Sequence, residues 1–197
     1  KKVRACKSIF TIHSTEYGRC GNNFFSGNSD RIRHIESDAG YHSDHVIAVS
    51  GALMNEYKWI YNFPEWKIDV IYNGVNYQTM DGFIDPSSIK KRYGIGIFDP
   101  MVLFAGRIVE QKGPDILIEA IPYVLYHYPQ TKFVFAGDGE MRRSVEALAH
   151  RLGVAHACRF LGHRAGDELR NLFKACDCVC VPSRNEPFGI VLLEAWS

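Results

Sequence analysis

The amino-acid sequence predicts an α/β protein built on parallel sheets. Short runs of β-branched and aromatic residues alternate along the chain with longer segments of helical periodicity, as expected when a helix joins each strand to the next. After Asp177, the run over residues 177–181 is apolar and contains two β-branched valines, which is typical of a strand buried on both faces. Proline or glycine ends several of these runs.

Residues 1–76 contain three predicted strands with helices between them. In chain order, we predict a strand over 8–12, a helix over 30–43, a strand over 45–49, a helix over 51–61 and a strand over 67–72. Asp30 and Ser50 are suited to cap the two helices, and Asn73-Gly74 is a turn signal after the third strand. Three strands are too few for a free-standing doubly wound domain.

Residues 77–197 form the second predicted domain. An irregular stretch over 75–88 is the predicted crossover into it, and a short helix over 88–93 follows. We then predict strands over 101–105, 132–136, 159–161 and 177–181, and helices over 114–128, 140–152, 167–175 and from 188 onward. Both ends look cut, because Ser197 falls inside the last helix without a capping residue. We therefore expect two incomplete Rossmann-like domains, the C-terminal part of one over 1–76 and the first part of another over 77–197.

Bulk composition argues against several classes of protein. A net charge of +1 gives no electrostatic reason to expect nucleic acid or an anionic membrane as a partner. No apolar run approaches the length of a membrane span, and no signal-peptide core follows the basic start, so a cytoplasmic protein is expected. Cys178 and Cys180 alternate along one predicted strand and Cys176 immediately precedes it, an extended spacing that cannot wrap a tetrahedral ion well. We predict buried structural thiols and no metal.

The most informative segment is residues 178–197, CVCVPSRNEPFGIVLLEAWS. A helix that begins near Phe188 leaves the backbone N–H groups of Phe188, Gly189 and Ile190 without intrahelical partners at the positive end of its dipole. Gly189 would let a ligand approach this backbone closely. The segment therefore predicts an anion site at the carboxyl end of a buried strand, where nucleotide phosphates usually bind.

Two carboxylates, Glu186 and Glu194, bracket this predicted anion site with seven residues between them. Carboxylates repel phosphate but accept hydrogen bonds from hydroxyl groups, as in sugar sites. The alternative is a capping box formed by Ser183 and Glu186 together with a solvated helical glutamate. Taken alone, the segment supports both interpretations about equally.

A second cluster of candidate residues follows the predicted strand over 101–105. Arg107 offers a planar fork suited to phosphate and Lys112 a compact positive charge, both at the end of a strand where open parallel sheets bind ligands. Two basic residues in a solvated loop are the alternative. Together with the anion site at 188–190, they would neutralise a diphosphate without a metal ion.

Three further positions are weaker candidates. Gly139 belongs to Gly-Asp-Gly after the strand over 132–136, which by itself is usually a tight turn, and Gly162 follows the strand over 159–161. His13 follows the first strand, a position where a histidine more often packs or lies in a loop than acts in catalysis.

These motifs resemble those of retaining glycosyltransferases of family 4, related to the glycogen synthases, which have the two-domain GT-B fold. The resemblance covers nearly all 197 residues and rests on four separated motifs: the region around His13, Asn73-Gly74-Val75, the Gly-Arg…Lys-Gly loop and the paired-Glu segment. The chain departs from the family at Asn76, where aspartate is usual in the interdomain hinge.

The resemblance implies transfer of a sugar, with glucose favoured by likeness to glycogen synthases, from a nucleoside diphosphate sugar to a carbohydrate or other acceptor hydroxyl, with retention and without a metal cofactor. It assigns residues 1–76 to the acceptor-side domain and 77–197 to the donor domain. By resemblance, the site residues are Arg107, Lys112 and the 188–190 amides at the diphosphate, Glu186 and His13 at the donor sugar, Glu194 at the ribose, and Gly139 and Gly162 near the base. For Glu16 and Arg19, contact with acceptor and ordering of the loop are both open.

Two other functions fit the same features. A sugar-nucleotide epimerase shares the GT-B architecture, and a non-catalytic nucleotide-sugar-binding module would need the same donor site. A dinucleotide oxidoreductase does not fit, because Gly137-Asp138-Gly139 is followed by Glu-Met-Arg and not by the third glycine of the fingerprint. The 197 residues alone are expected to have little or no turnover.

Overall fold

The computed structural model describes residues 6–76, 78 and 82–197. The chain divides into two compact units, one of Lys1–Gly74 with Asn185–Gly189 and one of Val75–Arg184 with Ile190–Ser197. The sequence-based division assigned the whole of 77–197 to the second domain. The segment Asn185–Gly189 therefore differs from that assignment, because its contacts are made with the first unit.

The first unit is a three-stranded parallel sheet with helices. Its strands are β1 (Ile9–Ile12), β2 (His45–Ala48) and β3 (Ile68–Val70), paired in the order β1-β2-β3. Its helices are α1 (Glu16–Arg19), α2 (Asn28–His42) and α3 (Gly51–Tyr61). Since all three strands are parallel, their carboxyl ends lie at one edge of the sheet, and α1 begins close to that edge after β1.

Local sequence signals account for α3 better than for α2. The hydroxyl of Ser50 accepts a hydrogen bond from the backbone N–H of Leu53, so the predicted cap is formed, and left-handed Asn62 ends the helix. Helix α2 begins two residues before the predicted cap Asp30, which lies instead in its first turn. Gly27, with φ of 76°, occupies the capping position, a conformation that favours glycine.

The second unit is a four-stranded parallel sheet. Its strands are β4 (Met101–Ala105), β5 (Lys132–Ala136), β6 (Cys158–Gly162) and β7 (Cys178–Val179), in the order β6-β5-β4-β7. Its helices are α4 (Pro86–Arg92), α5 (Pro114–His127), α6 (Arg142–Arg151), α7 (Gly166–Ala175) and α8 (Ile190–Trp196). Strands β5 and β6 are added in turn on one side of β4, and β7 is then added on its other side, as in doubly wound sheets.

Helices cover both faces of this second sheet. Phe133 and Phe135 of β5 pack into one core with α5 and α6, whereas Val134 and Ala136 of the same strand pack into another core with α4 and α7. Successive strand residues point to opposite faces, so a strand covered on both sides is apolar at every position. This arrangement accounts for the uninterrupted apolar runs in the sequence.

Strand β7 differs from its prediction. It spans two residues where five were predicted, and Cys178 is exposed while Cys176 and Cys180 are partly buried. The prediction of a strand buried on both faces is wrong here, because the described residues leave the face of β7 that carries Cys178 uncovered. The strand pairs with β4 alone, at the edge of the described sheet.

In the part of the chain that is described, no helix is long and apolar enough to cross a membrane.

Candidate functional site

The loop that follows β4 carries two of the predicted cations. Arg107 is exposed, and its Nη2 donates to the side-chain oxygen of buried Gln111 at 3.3 Å. Residues Glu110–Lys112 form one turn of 3-10 helix, and Lys112 is partly buried at its end. Gly113, with φ of 61°, then turns the chain into α5. Both cations therefore lie on one short loop at the carboxyl edge of the second sheet.

The loop that follows β5 packs against this first loop, backbone to backbone. The N–H of Ile108 donates to the carbonyl of Asp138 at 2.9 Å, and the N–H of Met141 donates to the carbonyl of Ile108 at 3.1 Å. A Cβ atom at Gly137 would overlap the carbonyl oxygen of Gly106, and one at Gly139 would overlap that of Ile108. Gly139 therefore has a packing reason to be glycine, independent of any ligand.

The end of β6 lies beside the loop after β5. Gly162, the last residue of β6 with φ of 75°, forms an isolated bridge with Gly137. Arg142 connects the loop after β5 to β6, because it pairs with Asp138 at 3.1 Å and donates to the carbonyl of Phe160 at 3.4 Å. The loops after β4 and β5 thus lie in contact with each other and with the end of β6, at the edge where an open parallel sheet binds a ligand.

Glu194 lies in α8, within the second unit. It lines a cleft of about 480 Å³ together with Gln78 and residues of α7, namely Gly166, Asp167, Leu169, Arg170 and Phe173. Burial raises the pKa of the Glu194 carboxyl above its ordinary value, because the charged form is the one that loses hydration. A half-buried carboxylate in such a cleft is suited to accept hydrogen bonds from a polar ligand.

The segment that contains Glu186 makes its contacts with the first unit. Asn185 donates to Asn22 Oδ1 at 2.8 Å and to Glu56 Oε2 at 2.9 Å, and the carbonyl of Pro187 accepts a hydrogen bond from the hydroxyl of Ser50. The ring of Phe188 packs against the core of that unit. The segment is therefore fixed by specific contacts on both sides of partly buried Glu186.

Helix α8 begins at Ile190, two residues after the predicted start. Phe188 and Gly189 therefore precede the helix, and the prediction that their amides belong to its first turn is wrong. Gly189 is buried and has φ of 80°, so a left-handed turn separates the docked Phe188 from the helix. The physical reason is the left-handed backbone of Gly189, which cannot belong to a right-handed α-helix, so the helix begins only at the next residue.

His13 is exposed immediately after β1, at the carboxyl edge of the first sheet. The next residues form α1, which begins where Thr15 accepts a hydrogen bond from the N–H of Gly18 at 3.0 Å. The Thr15 hydroxyl donates in turn to Glu56. A capped turn of helix thus follows His13 directly and fixes the backbone that carries it.

Glu16 and Arg19 order this region. Arg19 forms two hydrogen bonds to Glu16 Oε2, at 3.1 and 2.9 Å, and a third to Glu36. Glu16 is buried and also accepts a hydrogen bond from Ser29 at 3.0 Å. These contacts assign both residues an ordering role between α1 and α2, which is one of the two interpretations that the sequence left open.

Residues 87–197 match the family described as glycosyl transferases group 1, and residues 1–79 match Glycosyltransferase Family 4. The chain belongs to the group 1 glycosyltransferase family. The family prediction is thereby confirmed.

Individual relatives agree with this assignment. The chain is 45% identical over 190 residues to an uncharacterized glycosyltransferase of Methanocaldococcus jannaschii, covering 95% of this chain and 48% of that protein. It is 31% identical over 188 residues to a glycogen synthase of Mycobacterium tuberculosis, covering 95% of this chain and 43% of the synthase. The glycosyltransferase chain thus spans about half the length of the curated relatives it matches.

Solved structures give the same result for the fold. The chain superposes on HepE of Anabaena in complex with UDP-glucose with a TM-score of 0.79 and 27% identity, covering 95% of this chain and 50% of HepE. WaaG, a glycosyltransferase involved in lipopolysaccharide biosynthesis, is 21% identical with a TM-score of 0.78 and supports the fold alone. The predicted fold class, α/β with two Rossmann-like parallel-sheet domains of the GT-B type, is confirmed.

The predicted site residues of this glycosyltransferase fall in both units. Arg107, Lys112, Gly139 and Gly162 lie together at the carboxyl edge of the second sheet, and Ile190 and Glu194 belong to the same unit. His13, Glu186, Phe188 and Gly189 lie in the first unit. Each assigned ligand role stays a prediction.

Sequence reasoning missed the residues that hold the site in place. Glu56 accepts hydrogen bonds from both Thr15 and Asn185, and its partners are 41 and 129 residues away in the chain. No local motif marks a glutamate on an amphipathic helix as such a connector. Within residues 6–76, 78 and 82–197, no group of three or more His, Cys, Asp or Glu side chains could hold a metal ion.

Proposed function

We propose that the full-length protein is a retaining glycosyltransferase that moves a sugar from a nucleoside diphosphate sugar to an acceptor hydroxyl. The observation that carries the proposal is the loop with Arg107 and Lys112 at the carboxyl edge of a doubly wound sheet, packed against the loop after β5, which in turn meets the end of β6 at Gly162. A UDP donor carrying glucose is favoured, because HepE was crystallised with UDP-glucose and one relative of the chain is a glycogen synthase.

The chemistry requires stabilisation of a leaving diphosphate. Arg107 offers a planar fork that suits two phosphate oxygens, and Lys112 supplies a compact charge from a partly buried position. Cations fixed before the reaction stabilise the developing negative charge without further reorganisation. The N–H groups of Phe188, Gly189 and Ile190 remain proposed additional donors, and no metal ion is required.

The remaining roles concern the sugar and the nucleoside. Glu186 and His13 would hold hydroxyls of the transferred sugar, Glu194 would accept hydrogen bonds from the ribose hydroxyls, and the loops of Gly139 and Gly162 would lie near the base. Hydrolysis by a pair of carboxylates at glycosidase spacing is not part of this mechanism. We place the reaction in the cytoplasm, and we expect little or no turnover from residues 1–197 alone.

The test is a thermal-shift screen of UDP-, ADP- and GDP-sugars against the full-length protein, followed by calorimetric titration of UDP and of uridine. Tight binding of UDP with much weaker binding of uridine is expected, because the diphosphate supplies the charge that the two cations recognise. Product analysis should then show an acceptor-dependent glycoside with retained anomeric configuration. An epimerised sugar nucleotide formed without acceptor, or no binding of any nucleoside diphosphate, would contradict the proposal.

Glu194 provides a prediction that separates stability from binding. Because its pKa is raised in the folded state, unfolding free energy falls as pH rises from the ordinary glutamate pKa through the raised one. Glu194→Gln has no carboxyl group to ionise and so avoids this loss of unfolding free energy. The melting temperature of the variant should therefore exceed that of the wild type at pH 7 and equal it in acid. UDP affinity should fall about tenfold through loss of the charged acceptor. Calorimetry and melting curves at pH 4 and 7 measure both effects, and unchanged UDP affinity would remove Glu194 from the ribose site.

A further inference from the structure

The stretch after β7 runs directly against the loop that carries the two cations. The backbone N–H of Arg184 donates to the carbonyl of Gln111 at 2.9 Å. On the same stretch, the carbonyl of Pro182 lies so close to Gly113 that a Cβ atom there would overlap it. All of these residues belong to the second unit. The backbone of Pro182 and Arg184 therefore packs against the 3-10 turn Glu110–Lys112 and fixes its position.

The guanidinium of Arg184 adds three contacts to this backbone bond. Its Nη1 donates to Asp115 Oδ1 at 2.9 Å and to the carbonyl of Glu110 at 3.0 Å, and its Nη2 donates to Asp115 Oδ2 at 2.6 Å. The two parallel bonds to Asp115 are the bidentate geometry that arginine forms with carboxylates. The hydrogen bond from Arg184 holds the pKa of Asp115 below its usual range. One side chain thus ties the start of α5 to the turn that ends at Lys112.

From its position two residues before Glu186, Arg184 could equally be a third cation for the diphosphate. The geometry favours a different role, because both terminal nitrogens are engaged by Asp115 and one also binds the Glu110 carbonyl. A guanidinium paired with a carboxylate in this way has its charge largely compensated in place. The guanidinium of Arg184 is therefore directed at Glu110 and Asp115.

We propose that Arg184 and Asp115 form a clamp that positions the Arg107–Lys112 loop for the donor diphosphate, and that Arg184 is not itself a phosphate ligand. The inference rests on the proposed function, since it assigns a positioning residue to that donor site. Lys112 lies between two clamped points, the Gln111 carbonyl and Asp115, so loss of the clamp would loosen the segment that carries it. Small displacements of a cation strongly weaken its contribution to binding the diphosphate.

The test compares Asp115→Asn, Arg184→Met, Arg184→Lys and the double variant Asp115→Asn/Arg184→Met in the full-length protein, with UDP as the calorimetric probe. We expect each single variant to bind UDP about tenfold more weakly and the double variant to be no weaker than either single one. Arg184→Lys should be as weak as Arg184→Met, because lysine cannot form the bidentate pair. The donor KM should rise while the acceptor KM stays unchanged.

The two roles of Arg184 predict opposite results for Asp115→Asn. If Arg184 binds phosphate, removal of its competing carboxylate leaves UDP affinity unchanged or raises it, and Arg184→Lys keeps most of the affinity; either outcome would overturn the clamp. Asp115→Asn preserves side-chain volume, so it decides the question even if Arg184→Met does not fold. A wild-type protein that binds no nucleoside diphosphate would instead contradict the proposed function.

Discussion

Lys112→Ala in the full-length protein is expected to reduce kcat about a hundredfold, with little change in the free energy of unfolding. A fixed positive charge at the leaving diphosphate contributes on the order of 3 kcal/mol to transition-state stabilisation, which corresponds to that factor in rate. Lys112 is partly buried at the end of a clamped 3-10 turn, so its charge is already in place before the donor binds. Initial rates at saturating donor and acceptor give kcat directly.

Lys91→Ala is the matched control for this experiment. Lys91 is an exposed lysine of α4 in the same unit, so its removal changes net charge by the same amount at a surface position. We expect its kcat to stay within twofold of wild type, because surface substitutions of this kind have small effects. Unchanged turnover of Lys112→Ala combined with a lowered melting temperature would show that Lys112 is structural.

Local signals were sufficient to predict most elements of the fold. Strands β4 and β5 and helix α3 have the predicted bounds, because each combines an unbroken apolar run or a helical period with a clear start or stop residue. The short elements were missed or misjudged. The sequence predicts no helix where α1 lies and makes β7 three residues too long, since short segments carry too little periodicity.

The candidate site was predictable in its residue types and only partly in its construction. Arg107 and Lys112 lie at a strand end as expected, because strand ends are visible in sequence. The docking of Asn185–Gly189 on the first unit was not visible, since it depends on bonds between residues far apart in the chain, such as Asn185 with Glu56. The later start of α8 follows from the left-handed backbone of Gly189, which no sequence pattern specified.

Gly137→Ala is expected to lower the free energy of unfolding of the second unit by about 3 kcal/mol, at the upper end of overpacking effects. The backbone of Gly137 needs no special φ, so the cost is steric: a Cβ atom would overlap the carbonyl oxygen of Gly106. Because the obstacle is backbone and not a flexible side chain, the loops after β4 and β5 must separate, and the bond from Gly106 N–H to the Ala136 carbonyl at 3.0 Å would be strained or lost. Urea denaturation measures the change.

Gly153→Ala separates this overlap from ordinary glycine effects. Gly153 has φ of 71° with no atom within 4 Å of an added Cβ, so alanine there incurs only the left-handed strain of about 1 kcal/mol. A loss at Gly137 no larger than that at Gly153 would mean that the two loops are not in backbone contact in solution. Because Arg107 follows Gly106 directly, Gly137→Ala should also weaken UDP binding, whereas Gly153→Ala should leave UDP binding intact. That pair of results would show that the packing of the loops after β4 and β5 positions Arg107 for the diphosphate.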